Sequence, residues 1–198
     1  MRCVLLATTI TIWAMPLAAQ TSVQLSAGVK ASGALVTDGV LRETLRPTIA
    51  PSFGIAIAIP TGSGPYRALI EAHYSRSTLR VTNSDRKEMD DIGTLATIDA
   101  VVMADGPITG KLRWQVGGGA IFYRPTDNQG VFLDGPVQRW LLAGGVTWSR
   151  ELSPQMRLLV SARVDSHTFT TDILVARNYA GTQGVQRGGL HVGVERKF

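Results

Sequence analysis

Residues 190–198, LHVGVERKF, decide the fold, because their apolar side chains recur at every second position. Successive side chains of an extended strand point to opposite sides, so one face of this stretch is apolar. The residues on that face are Leu190, Val192, Val194 and Phe198. The other face is polar or glycine. Few soluble proteins need such an ending.

The composition favours many short strands in one folded domain. The chain has 198 residues, of which 44% are hydrophobic and 18% are charged, and this balance excludes general disorder. The 21 glycines and the abundance of Ser, Thr and Val argue against a helical bundle. The formal net charge is +5, but the basic residues are spread singly along the chain. This distribution predicts no nucleic-acid partner and leaves an anionic membrane surface open.

The first 19 residues have the pattern of a secretory signal peptide. One arginine precedes an apolar run, and small residues precede a polar Gln20. An uncleaved anchor is the alternative, although the run is shorter than the roughly 20 residues of a spanning helix. We predict a signal peptide over 1–19 and a single domain over 20–198. Cleavage would remove Cys3, the only cysteine, so the mature chain would have no disulfide and no thiolate site.

The mature chain shows the same alternation eight times. Most of these segments approach the 9 to 11 residues with which a tilted strand crosses a bilayer. The predicted strands are 21–31, 52–59, 66–75, 95–104, 111–123, 139–148, 156–167 and 190–198.

The connections between these segments alternate in length. Those at 60–65, 105–110 and 149–154 are short and contain the Gly, Pro or Ser of tight turns. Longer polar segments fall near 32–48, 81–93, 124–136 and 168–186. Short turns at one end and long loops at the other are the arrangement of bacterial outer-membrane barrels. We predict an all-β fold: an eight-stranded antiparallel up-and-down transmembrane β-barrel with short periplasmic turns and longer extracellular loops.

Aromatic residues recur eight positions apart on the face predicted to contact lipid. This spacing separates two rings by about 20 Å along the membrane normal, close to an apolar band of about 25 Å between aromatic girdles. Aromatic residues that fill a soluble core are the alternative interpretation. The predicted girdle residues are Tyr66, Tyr74, Trp114, Phe122, Trp140 and Trp148.

The terminal stretch LHVGVERKF resembles the C-terminal assembly signal of Gram-negative outer-membrane barrels. Arg196 departs from that pattern, since an apolar residue is expected at its position. The whole mature chain is similar in architecture to the small eight-stranded barrels of the OmpA, OmpX and Ail type. This resemblance implies an outer-membrane location, insertion by the barrel-assembly machinery, contact with outer-membrane lipids and a monomer. No family-specific functional motif accompanies it.

Many charged residues fall on the predicted inward face. An eight-stranded barrel is only wide enough for its own side chains, so these groups must pair with each other or with trapped water. We predict a structural polar network; a continuous ion pore or a buried catalytic site is the alternative. The inward residues are Lys30, Arg67, Glu71, His73, Asp99, Arg113, Arg157, Arg163, Asp165, His167, His191, Glu195 and Lys197.

The best catalytic candidate is the segment DSHTFTTD, which contains Asp165, Ser166, His167 and Asp172. A nucleophile needs its base within about 3 Å, but alternation places Ser166 on the face opposite Asp165 and His167. We therefore predict no enzyme activity. Three scattered histidines without paired spacing also predict no metal site, and no cofactor is expected.

The function predicted from these patterns is non-catalytic: support of the outer membrane, or contact with other molecules through the long loops. A lipid-modifying outer-membrane enzyme and a soluble periplasmic carrier with its apolar face inward are the alternatives. Exposed charged loops are most often only solvated. The loop residues best suited to binding an extracellular ligand are Arg42, Glu43, Arg46, Asp85, Arg86, Lys87, Glu88, Asp90, Asp91, Arg177, Asn178 and Tyr179.

Overall fold

The computed structural model describes residues 21–38, 42–83, 85, 88–127, 130–176 and 183–198. Within these residues the chain forms ten strands and two short helices. Neither helix is long and apolar enough to cross a membrane. The elements are β1 (Ser22–Ser32), β2 (Val36–Asp38), β3 (Glu43–Pro47), β4 (Ala50–Pro60), β5 (Arg67–Asn83), β6 (Glu88–Pro107), β7 (Leu112–Pro125), a 3-10 helix (Gly130–Phe132), β8 (Val137–Ser153), β9 (Met156–Phe169), α1 (Asp172–Ala176) and β10 (Gln183–Lys197).

Eight of the described strands close into a ring. Strand β1 pairs antiparallel with β4 on one side and with β10 on the other, and the β5–β6 pairing completes the circle. The register at the seam between β1 and β10 runs from Ser22 opposite Lys197 to Ser32 opposite Arg187. Closure removes the unpaired edges that an open sheet would expose. The predicted eight-stranded antiparallel barrel is confirmed.

Successive side chains along the wall point alternately outward and inward. Those that point outward are mostly apolar. Isolated exposed apolar residues are ordinary, but a contiguous belt around a whole barrel marks a surface that contacts apolar material. The exposed side chains of this belt include Leu25, Phe53, Ile55, Ile70, Val102, Val116, Leu142, Val146, Val160, Val164, Leu190 and Val192.

The long-loop end contains more regular structure than the sequence predicted. The segment expected as a loop near 32–48 contains the hairpin β2–β3, and β3 pairs with β5 so that Arg46 lies opposite Arg80. Strands β5 and β6 themselves continue far beyond the wall, with Asn83 opposite Glu88. We call β2, β3 and these distal parts of β5 and β6 the blade. The prediction of a loop near 32–48 was wrong. This segment has no alternation of its own, and it is extended because β3 forms hydrogen bonds with β5.

The third short turn lies later in the chain than predicted. Strand β8 continues to Ser153 and β9 begins at Met156. The segment 149–154, predicted as a turn, is therefore mostly part of β8. The backbone N–H of Met156 donates to the Ser153 hydroxyl at 3.1 Å, which closes the turn locally. The residues of this segment are mostly polar, so they lack the apolar alternation that predicts a strand.

Candidate functional site

The middle of the barrel interior is organised around one carboxylate. Asp99 on β6 accepts hydrogen bonds from Lys30 at 2.6 Å, from Arg163 at 3.0 Å and from Arg187 at 3.1 Å. The three cations come from β1, β9 and β10, on the far side of the lumen. All four side chains are buried, with exposed fractions of at most 4%. The closed ring therefore holds a carboxylate that links strands across its interior.

Two more acids complete this middle layer. Arg163 donates to Asp165 at 2.6 Å and to Glu71 at 3.1 Å, and Lys30 lies 3.8 Å from Asp165. A buried ion is costly unless it is paired and hydrogen-bonded, and this layer meets that need with equal numbers of cations and anions. The six charged groups are Lys30, Arg163, Arg187, Glu71, Asp99 and Asp165.

Two buried histidines lie beside the ion-pair layer. The rings of His73 and His191 are 4.6 Å apart at 46°, and Glu71 Oε1 lies 2.6 Å from His73 Nε2. Glycines make room for both rings: a Cβ on Gly54 would lie 2.2 Å from His73 Cδ2, and one on Gly189 would lie 2.8 Å from His191 Cε1. Among the described residues, no three His, Cys, Asp or Glu side chains are placed to hold a metal ion.

A second ion-pair layer lies at the short-turn end. Asp105 accepts from Arg67 Nε at 3.0 Å and from Arg113 Nε at 2.6 Å. Glu195 accepts from Arg67 at 2.6 Å and from the Ser22 hydroxyl at 2.6 Å. Asp105 and Glu195 are buried, and Arg67 bridges them. This layer ties β1, β5, β6, β7 and β10 together.

The long-loop end of the lumen is filled by apolar side chains instead. Tyr123 contacts Phe169 edge to face with ring centroids 5.3 Å apart, and Phe132 contacts Phe169 at 5.7 Å. Leu35 and Leu174 are buried in the same cluster. We call these five residues the apolar plug; they come from the wall strands β7 and β9, from the 3-10 helix, from α1 and from the segment before β2. The plug therefore occupies the interior at this end of the barrel.

The catalytic candidate is dispersed in the structure. Ser166 is exposed on the outer face, whereas Asp165 and His167 are buried inside. Asp165 pairs with Arg163, and His167 Nε2 shares a hydrogen bond with the Tyr123 hydroxyl. Neither contact joins Ser166 to a base. Asp172 lies exposed at the start of α1.

The six aromatic residues of the predicted girdle all lie on the outer face, in two groups. Tyr66, Trp114 and Trp148 lie toward the short turns, and the first two rings are 6.5 Å apart. Toward the long loops, Tyr74 and Phe122 flank Ile98 in register, and Trp140 is 79% exposed. Their role as membrane-interface anchors stays a prediction.

The C-terminal residues form the outer face of β10. Leu190, Val192, Val194 and Phe198 are exposed, and the backbone N–H of Phe198 donates to the Thr21 carbonyl at 3.1 Å. The Arg196 guanidinium lies 5.4 Å from the centre of the Phe198 ring, within range of a cation–π contact. The role of this strand as an assembly signal stays a prediction.

Two important charged residues were absent from the sequence prediction. Asp105 lies in the predicted turn 105–110, and Arg187 lies between the predicted loop 168–186 and the predicted strand 190–198, yet both are buried ion-pair partners. Arg187 lies in phase with His191, and Asp105 lies in phase with Asp99. Extending the alternation of each strand beyond its predicted end would have found both.

Several predicted features lie outside the described residues. They are the signal peptide over 1–19, the loop residues Arg86, Lys87, Arg177, Asn178 and Tyr179, and the side chain of Glu88. Of the other loop residues, Arg42 pairs with Asp85 at 2.8 Å and Arg80 pairs with Asp91 at 2.8 Å, all in exposed positions.

Comparison with known proteins gives structural matches only. No family model matches the chain, and no curated protein matches it in sequence. The solved structure of Neisserial surface protein A covers 90% of this chain and 97% of its own, with 16% identity and a TM-score of 0.51. The outer membrane protein OprG from Pseudomonas aeruginosa covers 91% and 96%, with 10% identity and a TM-score of 0.58.

A third structure, that of the attachment invasion locus protein Ail of Yersinia pestis, covers 91% of this chain and 99% of its own. It has 10% identity and a TM-score of 0.47. At these identities the first two matches establish the fold and nothing finer. The chain has the fold of the small outer-membrane β-barrels.

Proposed function

We propose that the chain is a non-catalytic integral outer-membrane β-barrel that contacts other molecules through its long-loop end. The continuous apolar belt and the shared fold support the membrane location. In this orientation the short turns face the periplasm and the blade faces outward. Contact with outer-membrane lipids, insertion by the barrel-assembly machinery, a monomeric state and removal of residues 1–19 belong to the same proposal.

The filled interior is the observation that carries the non-catalytic part. The two ion-pair layers occupy the middle and the short-turn end, and the apolar plug occupies the long-loop end. Charges that are paired in this way stabilise each other, and we infer that the filled lumen leaves no open path for an ion or a substrate. We therefore assign a structural role to the charged residues of the two ion-pair layers, as predicted for the polar network of the lumen.

Exposed apolar side chains at the long-loop end support a contact role. Met89 and Ile92 on the blade are 63% and 46% exposed, and Leu133 and Val175 beside the plug are 62% and 60% exposed. Single exposed apolar residues are ordinary, so the contact role rests on the occurrence of several of them together at this end of the barrel. These four residues lie away from the lipid-facing belt, so contact with lipid does not account for them.

Adhesion of cells that display the protein tests the contact role. We expect cells carrying the double variant Met89→Ser and Ile92→Ser to adhere less to hydrophobic and protein-coated surfaces than cells carrying the native protein. Leu152→Ser is the matched control, because Leu152 is 57% exposed at the opposite end. Equal adhesion by all three proteins, at equal surface amounts, would refute the contact role.

Three further measurements test the rest of the proposal. A gel-mobility change on boiling indicates a barrel folded in detergent, whereas folding without detergent would favour the soluble carrier. Steady single-channel conductance in a planar bilayer would contradict the closed lumen. A change in lipid A acylation on loss of the gene, reproduced by His167→Ala, would favour the enzyme.

A further inference from the structure

A basic pocket lies at the short-turn end, between the β6–β7 turn and the β8–β9 turn. It has a volume of about 440 Å³, and its charged lining consists of Lys111, Arg113, Arg150, Arg157 and Glu151. We call these five residues the basic pocket. Four cations and one anion leave it with a formal charge of +3. A concave site with this excess of one sign attracts the opposite charge.

Two of the four pocket cations are paired within the described part of the protein, and the other two are not. Arg113 pairs with Asp105 at 2.6 Å, and Arg157 pairs with Glu151 at 2.8 Å. In contrast, Lys111 and Arg150 are exposed and have no ion pair among the described residues. The hydrogen bond from Arg157 also holds the pKa of the Glu151 carboxyl below its usual range, so that acid stays ionised at neutral pH.

Two of the guanidinium groups are fixed in place before any ligand arrives. Arg113 Nη2 donates to the Pro65 carbonyl at 2.6 Å, and Arg157 is held by Glu151. Arg157 Nε is buried and has no hydrogen-bond partner. Because side-chain ordering is a main cost of binding, groups that are already ordered favour a ligand.

A second cavity adjoins the basic pocket. That cavity, of about 170 Å³, shares Arg113 and Arg157 with the basic pocket and adds Arg67 and Lys197 to the lining. Arg67 is committed to Asp105 and Glu195, but Lys197 has no ion pair among the described residues. The combined depression therefore extends the positive surface further across this end of the barrel.

We propose that the basic pocket binds a phosphate group. The planar fork of an arginine matches two phosphate oxygens at once, and a lysine beside it adds a compact charge. Arg150 follows Trp148 on the outer face of β8, so the pocket is open toward the membrane surface. The phosphate can come from an anionic phospholipid headgroup or from free phosphate. This site is independent of the contact role proposed for the opposite end.

The first experiment measures binding of inorganic phosphate by calorimetry, using the folded protein in an uncharged detergent without phosphate. We expect the double variant Lys111→Gln and Arg150→Gln to bind about tenfold more weakly. Removing one unit charge roughly 5 to 6 Å from the anion in a water-like dielectric weakens the affinity about three- to fourfold. Removing two such charges gives the value of about tenfold. Glu151→Gln removes the one anion but keeps a side-chain oxygen that accepts from Arg157, so it is expected to bind about three- to fourfold more tightly.

The matched control removes two exposed arginines at the other end, Arg76→Gln and Arg124→Gln, and should bind phosphate like the native protein. A gel-mobility change on boiling checks that every variant is folded. Native affinity in the pocket variant, equal loss in the control, or no phosphate binding by the native protein would each overturn the proposal.

A second arm identifies the source of the phosphate. Short-chain phosphatidylglycerol and phosphatidylcholine with equal chains are titrated against phosphate bound to the native protein. Displacement by phosphatidylglycerol alone would support a phospholipid headgroup as the ligand. Displacement by neither lipid would support free phosphate, provided that the pocket variant still shows its loss.

Discussion

Asp99→Asn tests whether the middle ion-pair layer stabilises the barrel. The amide keeps the size of the side chain but removes the charge that Lys30, Arg163 and Arg187 share. Three buried cations would then face two anions. Removing one partner of a buried pair costs about 3 to 5 kcal/mol. This loss is a large part of the roughly 5 to 15 kcal/mol that stabilises a typical protein.

The assay is urea unfolding of the protein in detergent, followed by tryptophan fluorescence and by gel mobility. With a slope of about 2 kcal/mol per molar urea, we expect the midpoint to fall by about 2 M. Asp91→Asn is the control, because Asp91 accepts from Arg80 at 2.8 Å in an exposed pair and should show no measurable change. An Asp99→Asn midpoint equal to that of the native protein would refute the reasoning.

Three further predictions concern a glycine, the apolar plug and the C-terminal residue. Gly54→Ala would place a Cβ 2.2 Å from His73 Cδ2, so we expect a loss of about 1 to 3 kcal/mol in the same unfolding assay; an unchanged midpoint would contradict it. Phe132→Ala removes a buried ring from the plug and should make the long-loop end more sensitive to protease while the heat-dependent gel shift is retained; unchanged cleavage would argue against the packing role. Phe198→Ala should lower the amount of folded barrel in isolated outer membranes but leave refolding in detergent unchanged, because the ring is 70% exposed; equal membrane amounts would count against an assembly role.

The alternation of the sequence predicted the wall well, because period two is imposed on every strand that has one apolar face. Leu190, Val192 and Val194, for example, all lie on the outer face as this pattern predicts. The short strands β2 and β3 were missed, since three to five residues are too few for a periodic signal. Their pairing with β5 depends on a partner that is distant in sequence.

The interior was harder to predict than the wall. Alternation places Lys30 and Asp99 on the inner face, but only closure of the ring brings β1 and β6 within reach of each other across the lumen. The plug was missed for another reason. Phe132 and Phe169 lie in segments predicted as loops, where alternation assigns a side chain to neither face.

The seam between β1 and β10 has a consequence for synthesis of the chain. It joins residues 22–32 to residues 187–197, the largest sequence separation among the described strand pairs. Closing so long a loop is entropically costly and makes folding slow. Until β10 has been made, β1 keeps an unpaired edge that can pair with another nascent copy. A fragment truncated before β10 would therefore be prone to aggregation rather than partly functional. Chaperones that keep the unfolded chain from aggregating would matter most before β10 has been synthesised.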